Sequence, residues 1–367
     1  MYYSGTQLFL IYSGLFFAVL VFSLLIDSLF MRFARTLGIR EKDQMLVRWS
    51  STSKPAFGGI SFFILFLVCF TLHGVIFPGE GSAALRPELL GLLAATSLGF
   101  LMGLADDAYN TRPLLKFVVQ VLCGVLLISS GTCIELFEAR WLNIAVTLLW
   151  VVGMMNSINM LDNMDGITTT VSMAILAAAI ISMIARGTMD PVYMVLMVGT
   201  LASLGGFLFF NWNPSRMYMG DTGSQFLGVF LAFIGIRFFW NAHSPLGAWE
   251  PERQLLLPLL VFLLPIVDTT TVSINRILRG HSPFVGGRDH TTHHLSYLGL
   301  SDGQVALIFI GISAINVFLT FVVFRFIEVW RNYHTAIFVS YAVFVFATLF
   351  IITKRTKAPA KDTEATA

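Results

Sequence analysis

Long apolar runs recur along this sequence and restrict the folds open to it. Eleven stretches are apolar over most of the length that a membrane crossing requires, since a helix of about 20 residues spans the hydrocarbon core. Backbone groups in lipid must satisfy one another, so these runs predict α-helices. Their rough cores are 8–30, 57–79, 89–105, 114–131, 142–160, 168–185, 192–211, 224–240, 254–273, 305–327 and 335–352.

Composition agrees with an all-α, polytopic membrane protein. Of 367 residues, 56% are hydrophobic and 12% are charged, whereas a soluble domain carries about 25% charged residues. The short connecting segments predict a single membrane domain over residues 1–353 and a disordered cytoplasmic tail over 354–367. A net charge of +2 without a basic soluble domain argues against nucleic acid as a partner.

The basic residues of the loops predict an orientation. One set of loops holds sixteen lysines and arginines and the other holds five, and the richer set is expected on the cytoplasmic side. With eleven spans, the N-terminus would lie outside and the C-terminus inside. Because the acidic and histidine motifs of the loops fall in the cytoplasmic set, we expect the chemistry at that face.

Four polar side chains recur in step at the end of the fifth run. Asn156, Asn159, Asp162 and Asp165 are spaced every three residues before Gly166, which would place them close together at one helix end. Carboxylates beside lipid are costly, so they favour a functional interpretation. The alternative is a helix cap that lies outside the membrane.

Two more acidic motifs lie at the ends of other runs. Asp106 and Asp107 end the third run and precede Lys116, and Asp221 lies in a glycine-rich turn before the eighth. Close carboxylates repel each other, and a lysine or a divalent cation removes that penalty. Mg²⁺ suits such a site because it takes one or two carboxylates and completes its shell with water and phosphate. The alternative is that these aspartates cap helices.

The loop after the ninth run gathers cationic residues. Arg288, His290, His293 and His294 follow Asp268 of that run, and the histidine spacing predicts a shared helical face. Arginines with histidines suit a diphosphate. Zinc is an alternative that lacks a clearly placed fourth ligand, and a surface helix with incidental histidines is another.

In combination, these motifs resemble those of the polyprenyl-phosphate N-acetylhexosamine-1-phosphate transferases. The resemblance covers nearly all of residues 30–300 in order. The motifs that carry it are Pro55-x-x-Gly58-Gly59, Asp106-Asp107 with Lys116, the series from Asn156 to Gly166, Asn211 before Met219-Gly220-Asp221, Pro265-x-x-Asp268, and the histidine loop. Two motifs depart from the family pattern: Asp162-Asn163 replaces the usual Asp-Gly, and the histidine loop reads Asp289-His290-Thr-Thr-His293-His294.

The resemblance implies an enzyme of the bacterial cytoplasmic (inner) membrane with a cytoplasmic active site. It would transfer N-acetylhexosamine 1-phosphate, with GlcNAc preferred, from a UDP-sugar to undecaprenyl phosphate and release UMP. This would be the first membrane step in the synthesis of a cell-envelope polysaccharide such as lipopolysaccharide. The resemblance is also compatible with a homodimer. A MurNAc-pentapeptide transferase is the nearest alternative, although its three-histidine loop is absent. A prenyltransferase and a transporter are more distant alternatives.

The resemblance also implies a role for each motif. Asp221, with Asp106 or Asp107, would hold Mg²⁺, for which Mn²⁺ could substitute. Asp107 or Asp162 would serve as a base if the lipid phosphate arrives monoprotonated, and direct attack is favoured over an aspartyl intermediate. The implied catalytic residues are Asp106, Asp107, Lys116, Asp162 and Asp165. The implied substrate-binding residues are Asn156, Asn159, Asn211, Asp268, Arg288, His290, His293 and His294.

Overall fold

The computed structural model describes residues 3–34, 54–77, 86–242, 249–283 and 286–356, and these residues form helices without any strand. The predicted all-α class is therefore confirmed. In chain order the helices are α1 (Gly5–Ala34), α2 (Gly58–Ile76), α3 (Pro87–Tyr109), α4 (Pro113–Ser129), α5 (Arg140–Leu161), α6 (Ile167–Arg186), α7 (Pro191–Asn211), α8 (Gly220–Gly235, continued by a π turn at Ile236–Trp240), α9 (Pro251–Val261), α10 (Leu263–Leu278), α11 (Thr291–Tyr297), α12 (Asp302–Phe326) and α13 (Asn332–Arg355).

Helices occupy all eleven predicted runs, but fewer of them are long enough to cross a membrane. Within the described ranges nine helices qualify, and the α9–α10 pair would make a tenth if it counts as one span. Helix α4 is apolar but shorter. The chain is thus a multi-pass membrane protein, while the count of eleven spans and the orientation stay predictions. Most of the predicted tail, residues 357–367, lies outside the described residues.

A bend of 80° separates α9 from α10 and changes the predicted ninth run into two helices. Pro265, in the first turn of α10, explains the position of the break. It has no N–H to donate to the carbonyl of Val261, and its ring would clash there. Helix α9 ends at Val261, so the two helices meet where the proline interrupts the hydrogen-bond ladder.

Helix α8 lies at the centre of the bundle. Every one of its residues is buried except Asp221, in its first turn. A helix that is apolar around its whole circumference must be surrounded by other helices, and α2, α3 and α5 pack against α8. The single partly exposed residue of the central helix is therefore an acid.

Two glycines allow neighbouring helices to reach the first turn of α8. A Cβ atom on Gly103 of α3 would lie 2.2 Å from the carbonyl oxygen of Asp221, and one on Gly59 of α2 would lie 2.1 Å from the amide nitrogen of Gly223. No side chain fits at such distances, so glycine at both positions sets how closely the three helices approach. This contact fixes the backbone that carries Asp221.

We predict that Gly103→Ala lowers the apparent melting temperature of the purified protein and its activity. The added methyl group must push α3 away from α8, and overpacking of this kind costs about 1–3 kcal/mol. Gly153→Ala in α5 is the matched control, because a Cβ there meets no atom within 4 Å and alanine favours a helix. Equal melting temperatures for the two variants would contradict the proposed close contact.

Candidate active site

The centre of the site is a lysine that contacts two carboxylates. Nζ of Lys116 lies 2.9 Å from Oδ2 of Asp106 and 2.8 Å from Oδ2 of Asp221. The side chains are 18%, 12% and 32% exposed, respectively. One positive charge between two negative charges relieves the repulsion that the carboxylates would otherwise exert on each other. The sequence predicted this grouping, and the structure brings all three residues together.

The local fold explains how Lys116 reaches Asp106. Helix α3 ends at Tyr109, its C-cap Asn110 adopts a left-handed conformation with φ of 51°, and α4 begins at Pro113. Asp106 holds this tight connection, because its Oδ1 accepts hydrogen bonds from the amide and the hydroxyl of Thr111 at 3.0 and 2.5 Å. Lys116, in the first turn of α4, is thereby turned back onto the end of α3.

Asn159 fixes the other oxygen of Asp221. Its Nδ2 donates to Oδ1 of Asp221 at 2.8 Å and also lies 2.8 Å from Oγ of Ser224. Both oxygens of Asp221 are therefore positioned by side chains from neighbouring helices. The sequence predicted that Asn159 binds substrate. The structure places Asn159 in the charged cluster, beside Asp221.

A chain of amides lies beneath this cluster. Asn156 Nδ2 donates to Oε1 of Gln120 at 2.8 Å, and Gln120 Nε2 donates to Oε1 of Gln225 at 3.1 Å. Gln120 and Gln225 are buried, so these bonds pair amide groups that water does not reach, and of the Gln225 amide only the oxygen is paired. Gln225 was missed by the sequence interpretation. Its position one helical turn after Asp221 was the available signal.

Asp107 does not join Asp106 at the lysine. Its Oδ1 accepts from the amide of Asp221 at 3.2 Å, and its Oδ2 accepts from the amide and hydroxyl of Thr222 at 2.9 and 2.7 Å. Adjacent helical residues point about 100° apart, so Asp107 reaches the N-terminus of α8 instead. Asp107 therefore holds the first amides of α8, and its predicted catalytic and metal-binding roles stay predictions.

The prediction that four polar side chains share one helix end is wrong for the last member. Helix α5 ends at Leu161, with Asp162 as its C-cap, so Asp165 lies beyond the helix. Its carboxylate accepts from the amide and hydroxyl of Ser215 at 2.9 and 2.7 Å, and Lys54 Nζ lies 3.8 Å away. Asp165 therefore holds the loop before α8.

Asn211 is buried at the junction of two helices. Its Oδ1 accepts from the amide of Gly166 and the hydroxyl of Thr169 at 3.2 and 2.7 Å, and its Nδ2 donates to the carbonyl of Met217 at 3.0 Å. These bonds join the start of α6 to the loop after α7. The structure therefore gives Asn211 a structural role, and its predicted contact with substrate stays a prediction.

Asp268 and His290 fix the start of α11. Asp268 is 1% exposed, and its Oδ2 lies 2.8 Å from Nδ1 of His290. Its Oδ1 accepts from the amide and hydroxyl of Thr291 at 2.9 and 2.6 Å. His290 precedes the helix as its N-cap, which corrects the prediction that three histidines share one helical face. The two residues contact each other at the start of α11, and the predicted substrate contact of each stays a prediction.

Helix α11 is also tied to the acidic motif of α5 and to the end of α13. The hydroxyl of Thr292 donates to Oδ1 of Asn163 at 2.6 Å, and Nδ1 of His294 lies 2.5 Å from Oγ1 of Thr356. Asn163 follows the C-cap of α5, the helix that carries Asn159. The histidine helix and the Asp106–Lys116–Asp221 cluster therefore occupy the same end of the bundle.

Burial favours the uncharged form of the two histidines within α11. Burial and the charge of His290 lower the pKa of His293 to about 3, and burial and the charge of Arg279 lower the pKa of His294 to about 4. Neutral imidazoles still offer hydrogen bonds to a diphosphate, and the substrate-binding role of these histidines stays a prediction.

Arginine is the source of positive charge beside this helix. Arg276 makes a bidentate pair with Asp289 at 3.0 and 2.6 Å. Burial alone would raise the pKa of the Asp289 carboxyl, but the hydrogen bonds and charge of Arg276, with His290 and Arg279, hold it below its usual range. The backbone carbonyl of Arg288 accepts from the hydroxyl of Tyr297 at 2.9 Å. This bond anchors the loop that carries Arg288, whose substrate-binding role stays a prediction.

The described residues contain no group of three or more histidine, cysteine, aspartate or glutamate side chains arranged to hold a metal ion. The zinc alternative for the histidine loop therefore gains no support within those ranges. A two-carboxylate site remains compatible with Mg²⁺, which relies on water and substrate oxygens for the rest of its shell.

We predict that acid destabilises this protein through His293 and His294. Because their folded pKa values lie below the ordinary value of about 6.5, the unfolded chain binds more protons, so stability falls as pH drops from 6.5 through 4 towards 3. His293→Gln/His294→Gln should flatten the decline in apparent melting temperature below pH 6.5. The control is His281→Gln, at an exposed position. An unchanged decline in the double variant would contradict neutral, buried histidines.

The chain is similar to known proteins over the region that carries the candidate active site. Residues 89–239 match the model of glycosyl transferase family 4, and this region runs from α3 to the π turn after α8. The chain is 28% identical over 265 residues to a probable undecaprenyl-phosphate N-acetylglucosaminyl 1-phosphate transferase of Bacillus subtilis, covering 69% of each chain. It is 27% identical over 293 residues to the phospho-N-acetylmuramoyl-pentapeptide-transferase of Staphylococcus aureus, covering 72% of this chain and 83% of that one.

Proposed function

Because residues 89–239 match glycosyl transferase family 4 and the chain is similar to phospho-sugar transferases, we propose that it transfers an N-acetylhexosamine 1-phosphate from a UDP-sugar to undecaprenyl phosphate. An oxygen of the lipid phosphate attacks the β-phosphorus of the donor, the bond to the α-phosphate oxygen breaks, and UMP leaves. The names of both relatives describe transfer of a phospho-sugar, and the first also names the polyprenyl acceptor.

The cluster of Asp106, Lys116 and Asp221 is the observation that carries this proposal. Attack of one phosphate on another brings negative charges together, so catalysis depends on screening charge and aligning the groups. Lys116 lies within hydrogen-bond distance of both carboxylates and supplies a fixed positive charge. Asn159 keeps Asp221 oriented while the donor binds.

The donor atoms of the cluster fit Mg²⁺. Asp221 and Asp106 provide hard carboxylate oxygens, and the Asp221 side chain is exposed enough for water and phosphate to reach it. These two residues, which share Lys116, would hold the ion, whereas Asp107 lies away from the lysine against the amides of α8. When bound, Mg²⁺ would screen the donor diphosphate and polarise the bond to the leaving UMP.

Asp162 is the better-placed candidate for a base. Asp107 accepts three hydrogen bonds from the start of α8, so both of its oxygens already have partners there. Asp162 lies at the end of α5, one turn after Asn159, and is partly exposed. A base is needed only for a monoprotonated lipid phosphate, whose second pKa is about 6 by analogy with phosphoresidues. We favour direct attack by the lipid phosphate over an aspartyl intermediate.

We propose GlcNAc 1-phosphate as the transferred group. The relative with this sugar in its name and the relative with the pentapeptide in its name are about equally similar. The histidine loop favours the former, since it lacks the three-histidine motif that accompanies the peptide-bearing donor. The product would begin a cell-envelope polysaccharide at the cytoplasmic face of the inner membrane. The homodimer stays a prediction.

The experiment supplies purified protein with undecaprenyl phosphate and either labelled UDP-GlcNAc or labelled UDP-MurNAc-pentapeptide. We expect labelled lipid and stoichiometric UMP with UDP-GlcNAc alone. Asp221→Asn should lower kcat by about 10²–10³-fold, the cost of losing one electrostatic contact to the transition state, while Glu252→Gln, at an exposed position on α9, should leave it unchanged.

Each part of the proposal fails on a different result. Labelled lipid from the pentapeptide donor alone would contradict GlcNAc 1-phosphate as the transferred group but would still support the transfer reaction. Full activity in excess chelator would contradict a role for Mg²⁺. Full activity of Asp221→Asn would contradict a role for the central carboxylate. Absence of UMP with either donor, in protein that remains folded, would overturn the transferase proposal.

A further inference from the structure

Three arginines gather at the end of the bundle opposite the candidate active site. Arg186 ends α6, Arg237 lies on the π turn that follows α8, and Arg253 lies in the first turn of α9. None of them belongs to the motifs of the active site. Helices α6 and α8 begin at the active-site end, so these residues lie one membrane thickness away from it.

Aromatic rings hold the three guanidinium groups close together. Arg186 and Arg253 lie 5.6 and 5.9 Å from the ring centroid of Phe324, and Arg237 lies 5.4 Å from that of Tyr193. The positive charges of Arg253 and Arg237 both act on Arg186. Such contacts position a guanidinium group, but they leave the net charge of the cluster positive.

Carboxylates near the cluster compensate only part of this charge. Glu250 pairs with Arg253 at 3.3 Å, and its other oxygen accepts from the amide of Trp330 at 2.9 Å. Near Tyr193, the carboxylate of Glu88 accepts from the tyrosine hydroxyl, and that of Asp190 pairs with Arg86. Across the described ranges, neither Arg186 nor Arg237 has a carboxylate within ion-pair distance.

Arg253 provides a second, independent observation that points to an anionic ligand. Its side chain is 1% exposed, and its Nε has no hydrogen-bond partner among the described residues. An unsatisfied buried donor on a charged group is costly. An anion with several acceptor oxygens would satisfy this donor and balance the remaining charge.

We propose that Arg186, Arg237 and Arg253 form a binding site for a phosphate anion at the membrane surface. Guanidinium groups match phosphate geometry, since their planar fork donates two parallel hydrogen bonds. Exposed Trp249, next to Glu250, is typical of the interface where lipid headgroups lie. The phosphate is either the headgroup of an anionic phospholipid or free inorganic phosphate, and the site is separate from the proposed transfer reaction.

The test compares wild type with Arg186→Gln/Arg237→Gln, which removes the two arginines that lack a carboxylate and retains the buried Arg253. Arg140→Gln is the matched control, because Arg140 is an exposed arginine at the same end of the bundle. One arm counts phosphatidylglycerol and phosphatidylcholine retained by the detergent-purified protein, using native mass spectrometry. The other arm measures binding of radiolabelled inorganic phosphate to the delipidated protein.

We expect wild type and Arg140→Gln to bind alike and the double variant to bind at least tenfold more weakly. A loss confined to phosphatidylglycerol identifies a lipid headgroup, and a loss confined to inorganic phosphate identifies a free anion. Equal binding by all three proteins in both arms, at unchanged apparent melting temperature, would overturn the proposal. An equal loss in Arg140→Gln would also overturn it, since binding would then follow total charge.

Discussion

The contact of Lys116 with Asp106 and Asp221 is the interaction on which the active-site end of this bundle depends. Three helices converge there, and each brings one charged side chain to a partly buried position. Two carboxylates about 4 Å apart would repel by about 4 kcal/mol at an effective dielectric of 20. The lysine removes this cost and leaves a site with one excess negative charge, which suits a divalent cation and the phosphates that it would bring.

Around this contact, other acids hold the backbone instead of the substrate. Asp107 binds the amides at the start of α8, Asp268 binds those at the start of α11, and Asp165 binds the loop between α7 and α8. Each carboxylate replaces water as the partner of donors at a helix end or loop. Within this frame Asp221 and Asp162 stay partly exposed.

The sequence was sufficient to predict the positions of the helices. It was not sufficient to predict which acids hold the backbone and which remain partly exposed. Apolar runs predict helices because lipid leaves the backbone no alternative, and the positions of all eleven runs are confirmed. The bend at Phe262 was not predicted, although Pro265 gave a signal for it. The assignment of Asp107 and Asn211 was not predictable from spacing, because their hydrogen-bond partners lie far away in the chain, in α8 and at the start of α6. Likewise, the three-residue period of the α5 motif did not reveal that the helix ends at Leu161.

A double-mutant cycle on Lys116 and Asp106 tests the central claim most directly. Apparent melting temperatures would be measured for wild type, Lys116→Met, Asp106→Asn and the combined variant. Lys116→Met should be clearly destabilised because it leaves two carboxylates uncompensated, and adding Asp106→Asn should restore part of the loss without restoring activity. Additive destabilisation, or no destabilisation by Lys116→Met alone, would contradict the claim that this lysine neutralises the two acids.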